Sequence, residues 1–319
     1  TINITTGAGK SGRLINSGQL YQSNLVATQA TREALNTTQN HFNIIANRLS
    51  NQEGSAIEIK QGSINLNNGD LRNLGLISEV EDANDDSSLS LSGIRNLENY
   101  NDISISTDLH IEENGSLRNL GKDSYINANS LTGGSITNRL SKLENEGSLL
   151  IQKQVDVYVD SVANDSEARL LAKGISIDSS NSVSNKGLIG AENDLNITSK
   201  ILINALLSEL YSAEGKVSLT ADAELNNAGR ILAKQDINLE SNALINSGLM
   251  SAEKSLLINQ KTAGSLTNDG LMIGENLLVG NNLFRQKALR NNGKQTQDVD
   301  GNVIYQGLQS TSGNVQITT

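Results

Sequence analysis

The sequence predicts an all-β solenoid, a parallel β-helix of coils about 20 residues long with irregular excursions. Three observations predict it. Short runs alternate aliphatic with polar side chains, a Leu-x-Asn-x-Gly unit returns along the chain, and proline, cysteine and tryptophan are absent from all 319 residues.

Composition sets the interior. With two Phe and six Tyr in the whole chain, burial must rely on small aliphatic groups, and stacking short strands around a narrow core is the regular way to achieve it. Disorder is excluded because hydrophobic residues are 36% of the chain and charged ones 19%, with Leu, Ile and Val spread evenly. The formal net charge of −10 argues against a nucleic-acid partner, which calls for a basic footprint. No apolar run is long enough to insert in a membrane, and the N-terminus lacks the basic and apolar regions of a signal peptide. Lack of cysteine does not assign a compartment, since a large regular fold needs no disulfide.

The repeat is visible by self-comparison. Ala168-Arg169-Leu170-Leu171-Ala172-Lys173 returns as Gly229-Arg230-Ile231-Leu232-Ala233-Lys234, and Ile64, Leu66, Leu71, Asn73 and Gly75 share their spacing with Ile237, Leu239, Leu244, Asn246 and Gly248. A small residue follows four places after the glycine. It reads Ala172, Ala191, Ala213, Ala233, Ala252 and Gly274, in steps of 19, 22, 20, 19 and 22 residues. That period is too short for paired helices and fits three short strands with three turns.

Each residue type then has a reason. Alternation at Val217 and Leu219, Ile237 and Leu239, or Leu256 and Ile258 sends every second side chain inward. Asparagine and glycine belong at corners. Asn16, Asn73, Asn119, Asn145, Asn185, Asn227, Asn246 and Asn268 are expected to stack and pass amide hydrogen bonds between coils. Gly18, Gly75, Gly121, Gly147, Gly187, Gly229, Gly248 and Gly270 are expected to supply positive φ at the turn. Proline is missing because strands paired on both edges need every N–H.

The chain reads as one β-helical segment over 1–319, with looser coils over 1–150, regular repeats over 151–284, and an irregular excursion followed by a returning strand over 285–319. Residues 26–48 read as a helical or irregular excursion, and 285–306 lack the repeat, with Val303–Tyr305 one arm of a projecting hairpin. Ile2 and Ile4 at one end, and Val315 and Ile317 at the other, resemble strands without caps, which suggests a piece of a longer solenoid.

The Leu-x-Asn-x-Gly unit, its following apolar pair, the small residue and the alternating strand resemble the haemagglutinin repeat of filamentous haemagglutinin and its two-partner-secretion relatives. The resemblance is clearest over about 160–285 and recognisable over about 64–150. It implies a right-handed parallel β-helix on a large exoprotein, secreted through an outer-membrane partner transporter to the bacterial cell surface. Members act as adhesins, as haemolysins, or as stalks of contact-dependent growth-inhibition effectors. The absence of proline departs from the family's amino-terminal secretion domain, with its Asn-Pro motifs, and from the tyrosine- and proline-rich region of the inhibition effectors. A mid-stalk piece is therefore expected.

Catalysis is not expected, nor a cofactor or metal. Thr6 to Gly12 imitates the end of a phosphate loop, but Ile4 stands where the first glycine belongs, and Asn16 and Gly18 begin a corner where a helix is required. Glu79, Glu81, Asp82, Asp85 and Asp86 form an acidic cluster without the glycine and terminal glutamate of a calcium loop. A polysaccharide-acting enzyme would need paired carboxylates and sugar platforms. His41 and His110 lie in different segments, and the six tyrosines share no single phase. Two functions remain, a spacer of roughly 13 coils spanning about 60 Å, or a module that binds a host or target-cell receptor or glycan through its excursions.

Overall fold

The protein, seen in a computed structural model, is described at residues 2–6, 12–21, 42–80, 87–259 and 264–280, and at the strands 288–291, 295–297, 303–305, 307–310 and 315–317. Among these residues there is no helix, so none is long and apolar enough to cross a membrane. The chain divides into two compact units, Thr1–Leu140 with Gly147–Gln152, and Ser141–Glu146 with Lys153–Thr319. Each is a stack of parallel coils, the all-β parallel solenoid that the repeat predicts.

A coil of the second unit shows the plan. A long strand, Val217–Asn227, is followed by a two-residue corner, a short strand, Arg230–Ala233, and a second corner leading to the next long strand, Ile237–Asn246. The long strand has two arms. Its pairing with the next coil runs Val217↔Ile237 to Ala221↔Ser241, slips by one residue, and resumes at Glu224↔Ala243. The arms separate fully one coil later, where Ser255–Asn259 and Ser265–Asn268 pair with the two halves of Ile237–Asn246. The first unit does the same, for Phe42–Ile45 and Arg48–Asn51 pair with the two arms of Gln61–Asn73.

Three straight segments per coil leave room for few inward side chains. Val217 and Leu219 from the first arm, Leu225 from the second and Ile231 from the short strand are at most 1% exposed. Burying each contributes about 1.5–3 kcal/mol. The equivalents two coils earlier are Ile175, Ile177, Val183 and Ile189, so each position stacks aliphatic on aliphatic. Small residues line the bend between the arms where Ser199, Ala221 and Ser241 are buried and in register, while Val159 and Ser179 pair at the bend of earlier coils. The small column on the short strand reads Ala191, Ser212, Ala233 and Ala252. Ser212 thus replaces the expected Ala213, which is exposed beside it.

Several expectations at the irregular stretches change. Of the excursion at 26–48, residues 22–41 lie outside the described residues, while Phe42–Ile45 and the start of Arg48–Asn51 are strands with Phe42, Ile44, Ala46 and Leu49 buried. Within 285–306, Ala288–Asn291 pairs with Ser265–Asn268 as a further rung, because Asn291 falls in register with Asn268. Val303–Tyr305 pairs antiparallel with Gln295–Gln297, making the hairpin.

The glycines act differently from the expectation. Of the eight repeat glycines only Gly121 has positive φ, at 93°. A Cβ on Gly75, Gly147, Gly187 or Gly229 would collide with Ser55 O, Ser124 O, Ala168 O or Ser208 O of the coil before, and on Gly248 or Gly270 with the preceding repeat glycine's carbonyl. Close approach of backbones, not handedness, demands glycine there. Gly18 meets nothing within 4 Å. Gly248→Ala is therefore expected to cost roughly 1–3 kcal/mol and Gly18→Ala less than about 0.5 kcal/mol, measured by denaturant unfolding. Equal costs at the two positions would contradict the collision account.

Candidate functional site

The most ordered polar feature is a column of buried asparagines closing the second arm of each coil. In the first unit Nδ2 of Asn16, Asn51, Asn73 and Asn99 donates to Oδ1 of the next member, ending at Asn119, each at 2.8 Å. In the second unit the column runs Asn145, Asn164, Asn185, Asn204, Asn227, Asn246 and Asn268, all buried, and ends on the exposed Asn291, at 2.7–3.0 Å. Every donor points toward the C-terminal coil.

The second amide hydrogen is used as regularly. It reaches the carbonyl of the first residue of the next short strand, as in Asn51 to Leu76 O at 3.0 Å, Asn145 to Arg169 O at 2.9 Å and Asn204 to Arg230 O at 3.1 Å. Asparagine suits the position because its amide alone combines two donors and an acceptor on a short neutral side chain. Backbone at the corner repeats the scheme: the N–H after each asparagine donates to the asparagine carbonyl one coil back, as in Leu74 to Asn51 O and Ala228 to Asn204 O, both 2.8 Å.

All eight sequence-proposed asparagines lie in these columns, alongside five that the pattern missed. Asn51, Asn164 and Asn204 precede wider corners that place Ser55, Ala168 or Ser208 four residues on, with positive φ at Gly54, Glu167 and Leu207. Asn99 is followed two places later by Asn101 instead of glycine, and Asn291 lies in the stretch read as irregular. The shared signal is the aliphatic residue two places before the asparagine, not the glycine after it.

Chemistry outside the column is surface chemistry. On the outward side of the second arm in the first unit, Arg13, Arg48 and Asp70 stand in register, and Arg72, Glu98 and Arg118 form the neighbouring row. Asp70 is bridged by Arg48 at 3.4 Å and Arg95 at 3.7 Å, and Glu98 by Arg118 at 2.8 Å and Arg72 at 3.8 Å. Arg72 also lies 5.5 Å from the centre of the Tyr100 ring. Four guanidinium groups meet two carboxylates, and Arg13 stands in register beside Arg48, on a chain whose net charge is −10.

The second unit links coils by exposed ion pairs. The Ser166 N–H and then the Lys186 ammonium hold the Asp165 carboxyl below its ordinary range. A depressed carboxyl stabilises the fold above its unfolded pKa, and that contribution disappears as pH falls through the folded value. Lys216 and Lys234 are raised by hydrogen bonds to Asp236 and Glu253. A shallow groove of about 420 Å³ beside Lys153, Lys173 and Asp194 opens on the outer surface.

Among the described residues the other candidates do not assemble into a site. His110 hydrogen-bonds Thr132 Oγ1 at 2.8 Å and lies 3.9 Å from Glu112 on the outer surface. Glu79 accepts from the Leu89 N–H and the Ser106 hydroxyl, while 81–86, His41 and 7–11 lie outside the described residues. Among the described residues no three metal-ligating side chains cluster.

Comparison with protein-family models, curated proteins and solved structures returns no match. The columns make their own forecast. Asn185→Leu leaves the Asn164 donor without its acceptor in a dry interior, so a loss of about 2–4 kcal/mol is expected. Asn185→Asp sets a carboxylate against the Asn204 and Glu209 acceptors, which raises its pKa and makes the variant less stable at pH 7 than at pH 4. Unfolding midpoints at the two pH values check both, and a pH-independent Asn185→Asp would contradict the donor assignment.

Proposed function

We propose that this chain is a spacer segment of a secreted, surface-anchored bacterial filament, of the kind exported through an outer-membrane partner transporter, whose contribution is length and stiffness. One observation carries the reading. Each added coil brings its own strand pairing and its own rung of the asparagine column, so length grows by about 4.8 Å per coil without enlarging the core. The seven steps from Asn145 to Asn291 correspond to about 34 Å in the second unit. The repeat's resemblance to filamentous haemagglutinin supports the same reading and suggests presentation of a distal adhesive or inhibitory domain.

Removing residues 186–227, which join Asn185 to Ala228-Gly229 in place of Lys186-Gly187, tests the spacer. The shortened chain is expected to fold cooperatively, to lose about 10 Å of length in solution scattering, and to hold a fused reporter domain correspondingly closer to the surface. Failure to fold, or an unchanged reach, would count against a modular spacer.

A second reading has its own observation, the arginine-rich face of the first unit. Such a face suits an acidic glycan, since guanidinium groups bind carboxylate and sulfate in forked pairs. Replacing Arg48, Arg72 and Arg95 by Gln is expected to abolish binding to acidic members of a glycan panel with strand content unchanged. Equal glycan binding by both proteins, or none by either, rejects this reading.

A further inference from the structure

We infer that the outer face of the short-strand sheet in the second unit is a self-association surface, on which a second copy of this chain packs antiparallel about a two-fold axis. Parallel sheets are ordinarily covered on both faces. In this unit the outward side carries two rows in register: Arg169, Leu188, Glu209, Arg230, Leu249 and Leu271, and beside them Leu171, Gly190, Tyr211, Leu232, Ser251 and Ile273. The Tyr211 ring occupies the place that a Cβ on Gly190 would take. The corresponding sheet of the first unit carries Ala56, Leu76, Asp102, Tyr125 and Ser148 in one row and Glu58, Ser78, Ser104, Asn127 and Leu150 in the other, a more polar outer face, so an apolar one is not a requirement of the coil.

The order within the rows identifies the occupant. A closed two-fold contact must be complementary to itself. With the axis along the strands, midway between Glu209–Ser212 and Arg230–Ala233, each row meets its own reverse. Glu209 then faces Arg230 of the second copy, Leu188 faces Leu249, Tyr211 faces Leu232, Leu171 faces Ile273, the small pair Gly190 and Ser251 face each other, and at the rim Arg169 lies against Leu271. The one carboxylate on the face meets a guanidinium twice, joining the 3.0 Å pair within each chain into a four-membered network.

The corners match too. Leu206 and Leu207, 72% and 92% exposed, belong to a wide corner, with Leu207 held at φ 68°. The same turn carries Gly54 and Glu167 at that place. Leucine gains nothing there from the coil itself, since left-handed φ disfavours it and water surrounds it. The two-fold sets this wide corner opposite the narrow Ala228-Gly229 corner of the second copy. Six strands of four residues cover roughly 350 Å² per copy, the size of a weak contact that depends on concentration or avidity.

Sedimentation equilibrium of the full chain from micromolar to high concentration tests the surface. The expected result is a reversible monomer–dimer equilibrium, weakened about tenfold or more by Leu232→Glu or Leu207→Glu with strand content and unfolding midpoint unchanged. Glu209→Arg weakens it, and Glu209→Arg with Arg230→Glu restores it. Because the chain has no cysteine, Leu188→Cys mixed with Leu249→Cys should give a disulfide-linked heterodimer, and neither alone a homodimer. A monomer throughout, a dimer indifferent to these substitutions, or efficient Leu188→Cys homodimers would each overturn the inference.

Discussion

The primary amide of asparagine repeats the hydrogen-bonding geometry of the peptide group, and the fold depends on that equivalence. Backbone amides link neighbouring strands at about 4.8 Å, and a side-chain amide that points inward from the same position in every coil can follow the same spacing. Asn185, for example, accepts from Asn164, donates to Asn204 and donates again to Glu209 O. A hydroxyl cannot make both donations, and a carboxylate makes neither. The buried corner is thereby satisfied without water, and the register between coils is fixed at one residue. A slip of one would turn every aliphatic side chain outward.

Corner geometry follows from this column. Once the asparagine is fixed, the chain reaches the short strand by either a narrow corner or a wide one, and the two depend on each other. Gly75, Gly187 and Gly229 each sit above a wide corner, whose carbonyls from Ser55 and Gln52, from Ala168 and Asp165, or from Ser208 and Ala205 fill the space a Cβ would need. The serines of the wide corners serve the column as well, since Ser55 and Ser208 donate to Oδ1 of Asn51 and Asn204 at 2.7 Å. Ser199 is different: its buried hydroxyl has no partner, and Ala221 fills the equivalent place one coil on. The bend accepts a hydroxyl or a methyl alike, since Ser179 and Ser241 donate to the carbonyls of Asp160 and Ala243.

This explains what the sequence disclosed and what it concealed. Alternation at Val155, Val157 and Val159 announces an inward face because strand period is a local property, and all three are buried. The column was legible wherever glycine followed the asparagine. It was obscured at Asn51, Asn164 and Asn204 because a wide corner shifts the next strand by two residues and breaks the apparent period. With that shift the small position falls eight residues after the asparagine, at Ser212, which stands in register with Ala233. Positive φ was assigned to the wrong residues for a related reason. Glycine can mark either conformational freedom or a close neighbour, and only the coil below decides which. Among the described residues Asn67, Asn68 and Asn114, outside the column, are the asparagines that take left-handed backbone.

The interior leaves the outer surface unconstrained, and there the two units differ most. Inward positions repeat Leu, Ile, Val and Asn because each must fit the coil above and below. Outward positions need only be compatible with a strand, so they carry arginine on the second arm of the first unit and leucine on the short strands of the second. A charged row gains little for the fold from exposed pairs such as Arg48 with Asp70, and an outward leucine row gains only partial shielding from its neighbours. The outward rows accordingly mix types, as in Arg169, Leu188, Glu209, Arg230, Leu249 and Leu271, because the coil itself does not fix them. In a solenoid built this way, the coils above and below set each inward column, and the outward columns are left free to vary.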